Sequence, residues 1–88
     1  MNDNSSSMKC FRIREDSRVC FLMESRVERI DKNYLTESGR LSLKFYLKEG
    51  GERVLDLRMD VEAYALFELR WERFQTSDEI FFDFGEFQ

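Results

Sequence analysis

Cys10 and Cys20 are the only thiols in this 88-residue sequence, the groups suited to thiol nucleophilic catalysis or thiolate metal binding. The chain has no histidine, so the commonest general base and the commonest metal ligand are missing. Two thiols ten positions apart with no imidazole match no zinc pattern. The glycines, Gly39, Gly50, Gly51 and Gly85, form neither a phosphate-cradling loop nor a dinucleotide fingerprint. Charged residues make up 36% of the chain, so a chance pair of carboxylates at almost any spacing is uninformative. Cys20 is the one candidate nucleophile. Activated thiolates need an electropositive setting, and an inert packed thiol is the expected state. These features predict a protein that is not an enzyme and that needs no metal and no cofactor.

Binding chemistry has more to work with. If the alternating segments form one sheet, its outer face gathers Arg12, Arg14, Arg18, Arg26, Lys44, Lys48 and Arg58, with Tyr46 in the middle. Glu24, Glu28, Glu52 and Asp56 share that face, so cations exceed carboxylates seven to four. Cations that meet phosphates, around a ring that stacks on a base, are how some sheets hold single strands. Arg12, Arg14, Arg26, Lys44, Tyr46 and Arg58 are therefore candidate nucleic-acid contacts. The bland counterpart is a solvated face neutralised by cross-strand pairs. A second candidate is the C-terminal stretch. Residues 76–88 hold four acidic side chains and no basic one, which accounts for the whole net charge of −4. Ile80, Phe82, Phe84 and Phe87 in that stretch, together with Leu69, are candidate protein-interface residues. They exceed what one sheet face and one helix face need to bury.

The elements that would position these groups follow from periodicity. Lys9 to Arg14 reads as a first strand, with Phe11 and Ile13 on one side and Arg12 and Arg14 on the other. A longer strand starts at Arg18. Val19, Phe21, Met23 and Val27 share one parity and make its expected apolar face, while Cys20 and Leu22 interrupt the polar one. Asp31-Lys32-Asn33 and Thr36 to Gly39 read as loops. Leu41, Leu43, Phe45 and Leu47 then alternate with polar residues, as do Leu55, Leu57 and Met59. A three-residue loop at Glu49-Gly50-Gly51 would pair Phe45 with Leu55 and Lys44 with Asp56, satisfying both faces. Asp60 is a helix N-cap, followed by Tyr64, Phe67, Trp71 and Phe74 at helical spacing, with Ala63 and Leu66 widening the stripe. Thr76-Ser77-Asp78 ends the helix. Ile80, Phe82 and Phe84 alternate as a last strand would.

This element order, and the stretch Arg53 to Glu62 in which an alternating strand hands over to an amphipathic helix, resembles the repeats of Pur-alpha-type and Whirly-type single-stranded nucleic-acid-binding proteins. The resemblance spans about residues 18–75. It implies a sheet that grips single strands and repeats that pair, hence a dimer.

The expected architecture is an α+β domain: an antiparallel meander of about four strands, one amphipathic helix, and a possible extra C-terminal strand. Residues 1–7 are expected to be a disordered tail, 8–76 the domain, and 77–88 an acidic, aromatic segment docked on protein. Nine Phe, three Tyr and one Trp supply a core without disulfides, since each fully buried large apolar side chain contributes about 1.5–3 kcal/mol. No apolar run is long enough to span a membrane, and Met1 to Ser7 is too polar for a signal peptide. With two cysteines read as reduced thiols, the expected location is cytoplasmic. The function expected is a non-enzymatic protein-binding or regulatory domain, or an assembly subunit, acting as a homodimer. The alternative is a single-stranded nucleic-acid binder.

Overall fold

A computed structural model describes residues 8–88; the expected disordered tail, residues 1–7, lies outside the described residues. β1 (Cys10–Glu15) and β2 (Arg18–Met23) form an antiparallel hairpin. Its two-residue turn sets Asp16 at φ 55°, the left-handed geometry that such turns require and that Asp tolerates. A 3₁₀ turn at Glu24–Arg26 then leads the chain out of the hairpin. β3 (Val27–Leu35), β4 (Arg40–Leu47) and β5 (Glu52–Arg58) follow as an antiparallel meander. After α1 (Val61–Thr76), the chain returns as β6 (Phe81–Asp83) and a closing 3₁₀ turn, Phe84–Phe87. The α+β class and the extra C-terminal strand are as expected from sequence. The strands, however, form two three-stranded sheets, ordered β2-β1-β6 and β3-β4-β5, and β6 runs parallel to β1.

Three sequence readings are corrected by this arrangement. The long strand expected from Arg18 is two strands, because the 3₁₀ turn ends β2 at Met23 and resets the alternation. The Asp31-Lys32-Asn33 segment lies within β3, not a loop. There Ile30, Lys32 and Tyr34 face inward opposite Phe45, Leu43 and Leu41. The Lys32 ammonium reaches the Glu68 carboxylate on α1, and the Tyr34 hydroxyl donates to the Met59 carbonyl at 2.9 Å. The β4–β5 hairpin keeps its faces but not its expected register. Leu43 pairs with Leu55, Leu41 with Leu57 and Phe45 with Arg53. The loop is Lys48-Glu49-Gly50, closed by Leu47 N–H donating to Gly51 C=O at 3.1 Å and Gly50 N–H to Leu47 C=O at 3.0 Å. Gly50 and Gly51 sit at φ 103° and 89°, so both backbone positions that a side chain would strain fall at the end of the turn. Lys44 consequently pairs with Val54 rather than Asp56 and makes its ion pair diagonally, with Glu52.

One core joins both sheets to the helix. Phe11 and Leu22 from the small sheet, Leu41, Leu43 and Phe45 from the larger one, and Phe67 and Phe74 from α1 are all buried in it. Asp60 caps α1 as expected, its carboxylate accepting from Ala63 N–H at 2.8 Å. Leu66, expected on the buried stripe, is exposed, because the core side of α1 centres on Phe67, Trp71 and Phe74. The tail is part of this core. Phe82 and Phe84 are buried and Phe87 packs against them, with the Phe82 and Phe84 rings 4.9 Å apart. No helix among the described residues is long and apolar enough to cross a membrane.

The far end of α1 is held by a side chain that periodicity alone would leave in solvent. The Lys9 ammonium donates to the carbonyls of Phe74, Ser77 and Glu79 at 2.7, 2.9 and 2.7 Å and lies 4.4 Å from the centre of the Phe74 ring. The last carbonyls of a helix lack intrahelical donors and carry its negative end. One cation just before β1 therefore fastens the helix terminus and the start of the returning tail. Lys9→Met keeps the apolar stem but removes the three donors. It should lower stability by about 2 kcal/mol and the melting temperature by on the order of 10 °C, as read by thermal denaturation followed by circular dichroism.

Candidate interaction surfaces

The candidate nucleic-acid contacts do not share a face. Arg12 and Arg14 lie on the outer face of the small sheet. Arg12 pairs with Asp83 of β6 at 3.4 Å, while the Arg14 backbone is bracketed by the Gln88 side chain through bonds of 2.9 and 2.7 Å. Arg26 sits in the 3₁₀ turn between the sheets, paired with Glu49 of the β4–β5 loop. Only Lys44, Tyr46 and Arg58 remain together, on the outer face of the larger sheet. That face carries Arg29 and Arg40 as well, which sequence reasoning missed. It also carries Asp31, Glu52 and Asp56, so carboxylates are interspersed among its cations. The Arg29 guanidinium lies 4.1 Å from the centre of the Tyr46 ring and 3.5 Å from Asp31. The ring is thus already covered by an arginine.

The candidate protein-interface residues divide as well. Phe82 and Phe84 are core, and Phe87 packs against Phe67 at 5.2 Å between ring centres. Leu69 and Ile80 stay exposed, at 66% and 50%. Leu69 lies one turn from Leu66, also exposed, on the outer side of α1.

The larger apolar surface is one that alternation assigned to the core. In the β1–β2 register Phe11 faces Leu22 and Ile13 faces Cys20, so Leu22 and Cys20 point inward. Val19, Phe21 and Met23 therefore point outward, the inverse of the face expected from sequence. β6 adds Phe81 beside Cys10 on that outer side. Phe21 is 59% exposed and Phe81 56%, with their rings edge to face at 6.3 Å. Met23 and Val19 flank them, and exposed Met8 lies two residues ahead of Cys10. Exposed apolar surface here is on the order of 500 Å², at the upper end for the surface of a monomer.

Elsewhere a cleft of about 370 Å³ runs between β3 and α1 with Val27, Ile30 and Trp71 among its lining residues. Among the described residues, no group of three or more His, Cys, Asp or Glu side chains is placed to hold a metal.

Both cysteines are free thiols. Cys20 is only partly buried, so it is not the packed thiol expected. It donates to the Glu15 carboxylate at 3.2 Å, and Arg53 of β5 donates to the other oxygen of Glu15 at 2.8 Å. The hydrogen bond to Glu15 raises the Cys20 pKa, with desolvation adding to it. The same bond, then the Arg53 guanidinium, lowers the pKa of Glu15. Burial raises that of Cys10. A thiol held protonated is a weak nucleophile. Glu15 works in the opposite sense. Its folded pKa is depressed, so its contribution to stability is present above the ordinary carboxylate range and is lost as pH falls through the folded value. Native-state alkylation with iodoacetamide at mildly alkaline pH, read by peptide mass spectrometry, should find Cys20 slower than a free thiol. Glu15→Gln should speed it, by removing the negative charge beside the sulfur and leaving that of Arg53.

Comparison with protein-family models, with curated proteins and with solved structures finds no match to this chain.

Proposed function

We propose that this chain is a small protein-binding domain, a regulator or an assembly subunit, that engages its partner through the outer face of the β2-β1-β6 sheet. The observation that carries this reading is the Phe21–Phe81 surface. Two phenylalanines more than half exposed, joined to Met23 and Val19 on one rigid sheet face, are costly to leave in water. At about 25 cal/mol per Å², removing the face from solvent is worth on the order of 10 kcal/mol before association costs. Its position on strands rather than on a loop means that it is formed before a partner arrives. Free thiols at Cys10 and Cys20 fit a reducing compartment such as the cytoplasm.

The nucleic-acid reading has less support. Its stacking ring, Tyr46, lies beneath Arg29, and the cations around it are interspersed with carboxylates rather than tracking a phosphate backbone.

Two double variants separate these functions. At a dilution where the protein is monomeric, Phe21→Ser with Phe81→Ser should keep the wild-type melting temperature and bind less of a dye that reports exposed apolar surface, and it should lose protein partners in quantitative affinity capture. Lys44→Glu with Arg58→Glu should retain those partners. Oligonucleotide binding measured by fluorescence anisotropy should be weak for all three proteins. Tight, salt-sensitive binding that Lys44→Glu with Arg58→Glu abolishes would move the function to the larger sheet.

A further inference from the structure

We infer that the occupant of this outer face is a second copy of the same chain, packed sheet against sheet about a two-fold axis. This inference rests on the protein-binding reading above and names its partner. Among the described residues no further segment covers the face. Residues 1–7 contain a single apolar side chain, that of Met1, and the C-terminal aromatics Phe84 and Phe87 are already committed to the core.

The size of the face fits a self-association surface. Its apolar area of on the order of 500 Å² is what an interface about 65% apolar would contain if it buried roughly 800 Å² per protomer. That is the ordinary size of a specific complex. Two such sheet faces pack at about 10 Å with their side chains interdigitating, and Phe21 and Phe81 supply the bulk for that layer.

The electrostatics also suit a like partner. A two-fold contact sets each surface against itself, so a face of one sign repels its own copy. Here Arg12 stands within the face, between Phe21 and Asp83 on the neighbouring strands, and is paired with Asp83, while Arg14 lies opposite Val19 towards one end. The outer face of the larger sheet is less suited. It sets Arg40 directly opposite Arg58, and a second copy would add to that repulsion.

Sedimentation equilibrium at about 1–100 μM, a range over which a dimer of this interface size forms by mass action, should report twice the 10.7 kDa chain mass. Phe21→Glu and Phe81→Glu should each weaken the dimer at least tenfold. Denaturation of each variant, measured where it is monomeric, should match that of dilute wild type, because both side chains are exposed in the monomer. Leu69→Glu on the helix and Val54→Glu on the larger sheet should leave the dimer intact. A wild-type protein that stays monomeric, while Phe21→Ser with Phe81→Ser still loses captured partners, would overturn the second copy and spare the protein-binding reading. A dimer indifferent to Phe21→Glu and Phe81→Glu would overturn this inference by moving the contact elsewhere. If partner capture is indifferent to the outer face as well, the protein-binding reading falls with it.

Discussion

The Phe11 ring is where the two sheets, the helix and the tail meet. It is fully buried, and its centre lies 5.7 Å from those of Phe45 on β4 and Trp71 on α1, 5.8 Å from Phe74 and 5.9 Å from Phe84. Aromatic pairs at such separations add about 0.5–1.5 kcal/mol each beyond the area they bury. Phe11 also lies on the central strand of the small sheet, between β2 and β6. Its placement therefore fixes which face of β1 looks into the core, and through pairing, which faces of β2 and β6 follow. Lys9, two residues earlier, anchors the end of α1. Local sequence around β1 thus controls contacts that lie at the opposite end of the chain.

That arrangement makes the fold depend on closing a long loop. β1 and β6 pair across almost the whole sequence, Cys10 beside Phe81 and Phe11 beside Phe82. Closure entropy grows only logarithmically with loop length, about 0.6 kcal/mol for each doubling. Burying Phe82 and Phe84 contributes about 1.5–3 kcal/mol apiece, together of the same order as the whole closure cost of about 4 kcal/mol. An acidic tail that looks expendable by charge is therefore held by its aromatic residues, and its carboxylates serve at the margins. Asp83 pairs with Arg12, and Glu86 with Arg70 of α1 at 2.6 Å.

What was legible in the sequence, and what was not, follows from the kind of signal each feature leaves. β4 alternates cleanly and α1 has a capped, aromatic stripe, so both stand out. β2 carries apolar residues on both parities, Val19, Phe21 and Met23 against Cys20 and Leu22. Periodicity there identifies a strand but not its buried side, which is decided by the pairing of Leu22 with Phe11. The β4–β5 register slips by two residues from the one expected, and a slip of two preserves both faces, so alternation could not detect it. Only the turn distinguishes the two, through the successive positive φ values of Gly50 and Gly51. The basic face required one continuous sheet. Once the 3₁₀ turn at Glu24–Arg26 separates two sheets, Arg12, Arg14 and Arg26 part from Lys44, Tyr46 and Arg58.

The same inversion explains why the small sheet carries an apolar patch on its outer face, beside Arg12 and Arg14 of the central strand. Its inner side sends Phe11, Ile13, Leu22 and Phe82 into the core. On the outer side Cys10 is only 5% exposed, flanked by Met23 and Phe81, its partners on the two neighbouring strands. A sheet covered on one face and solvated on the other normally alternates apolar with polar residues. A strand that is apolar on both parities is instead the pattern of a sheet covered on both sides. β2 has that second pattern, and the core accounts for only one of the two covers. Among the described residues, helix and larger sheet cover one side of the small sheet, and Phe21 and Phe81 stay in water on the other.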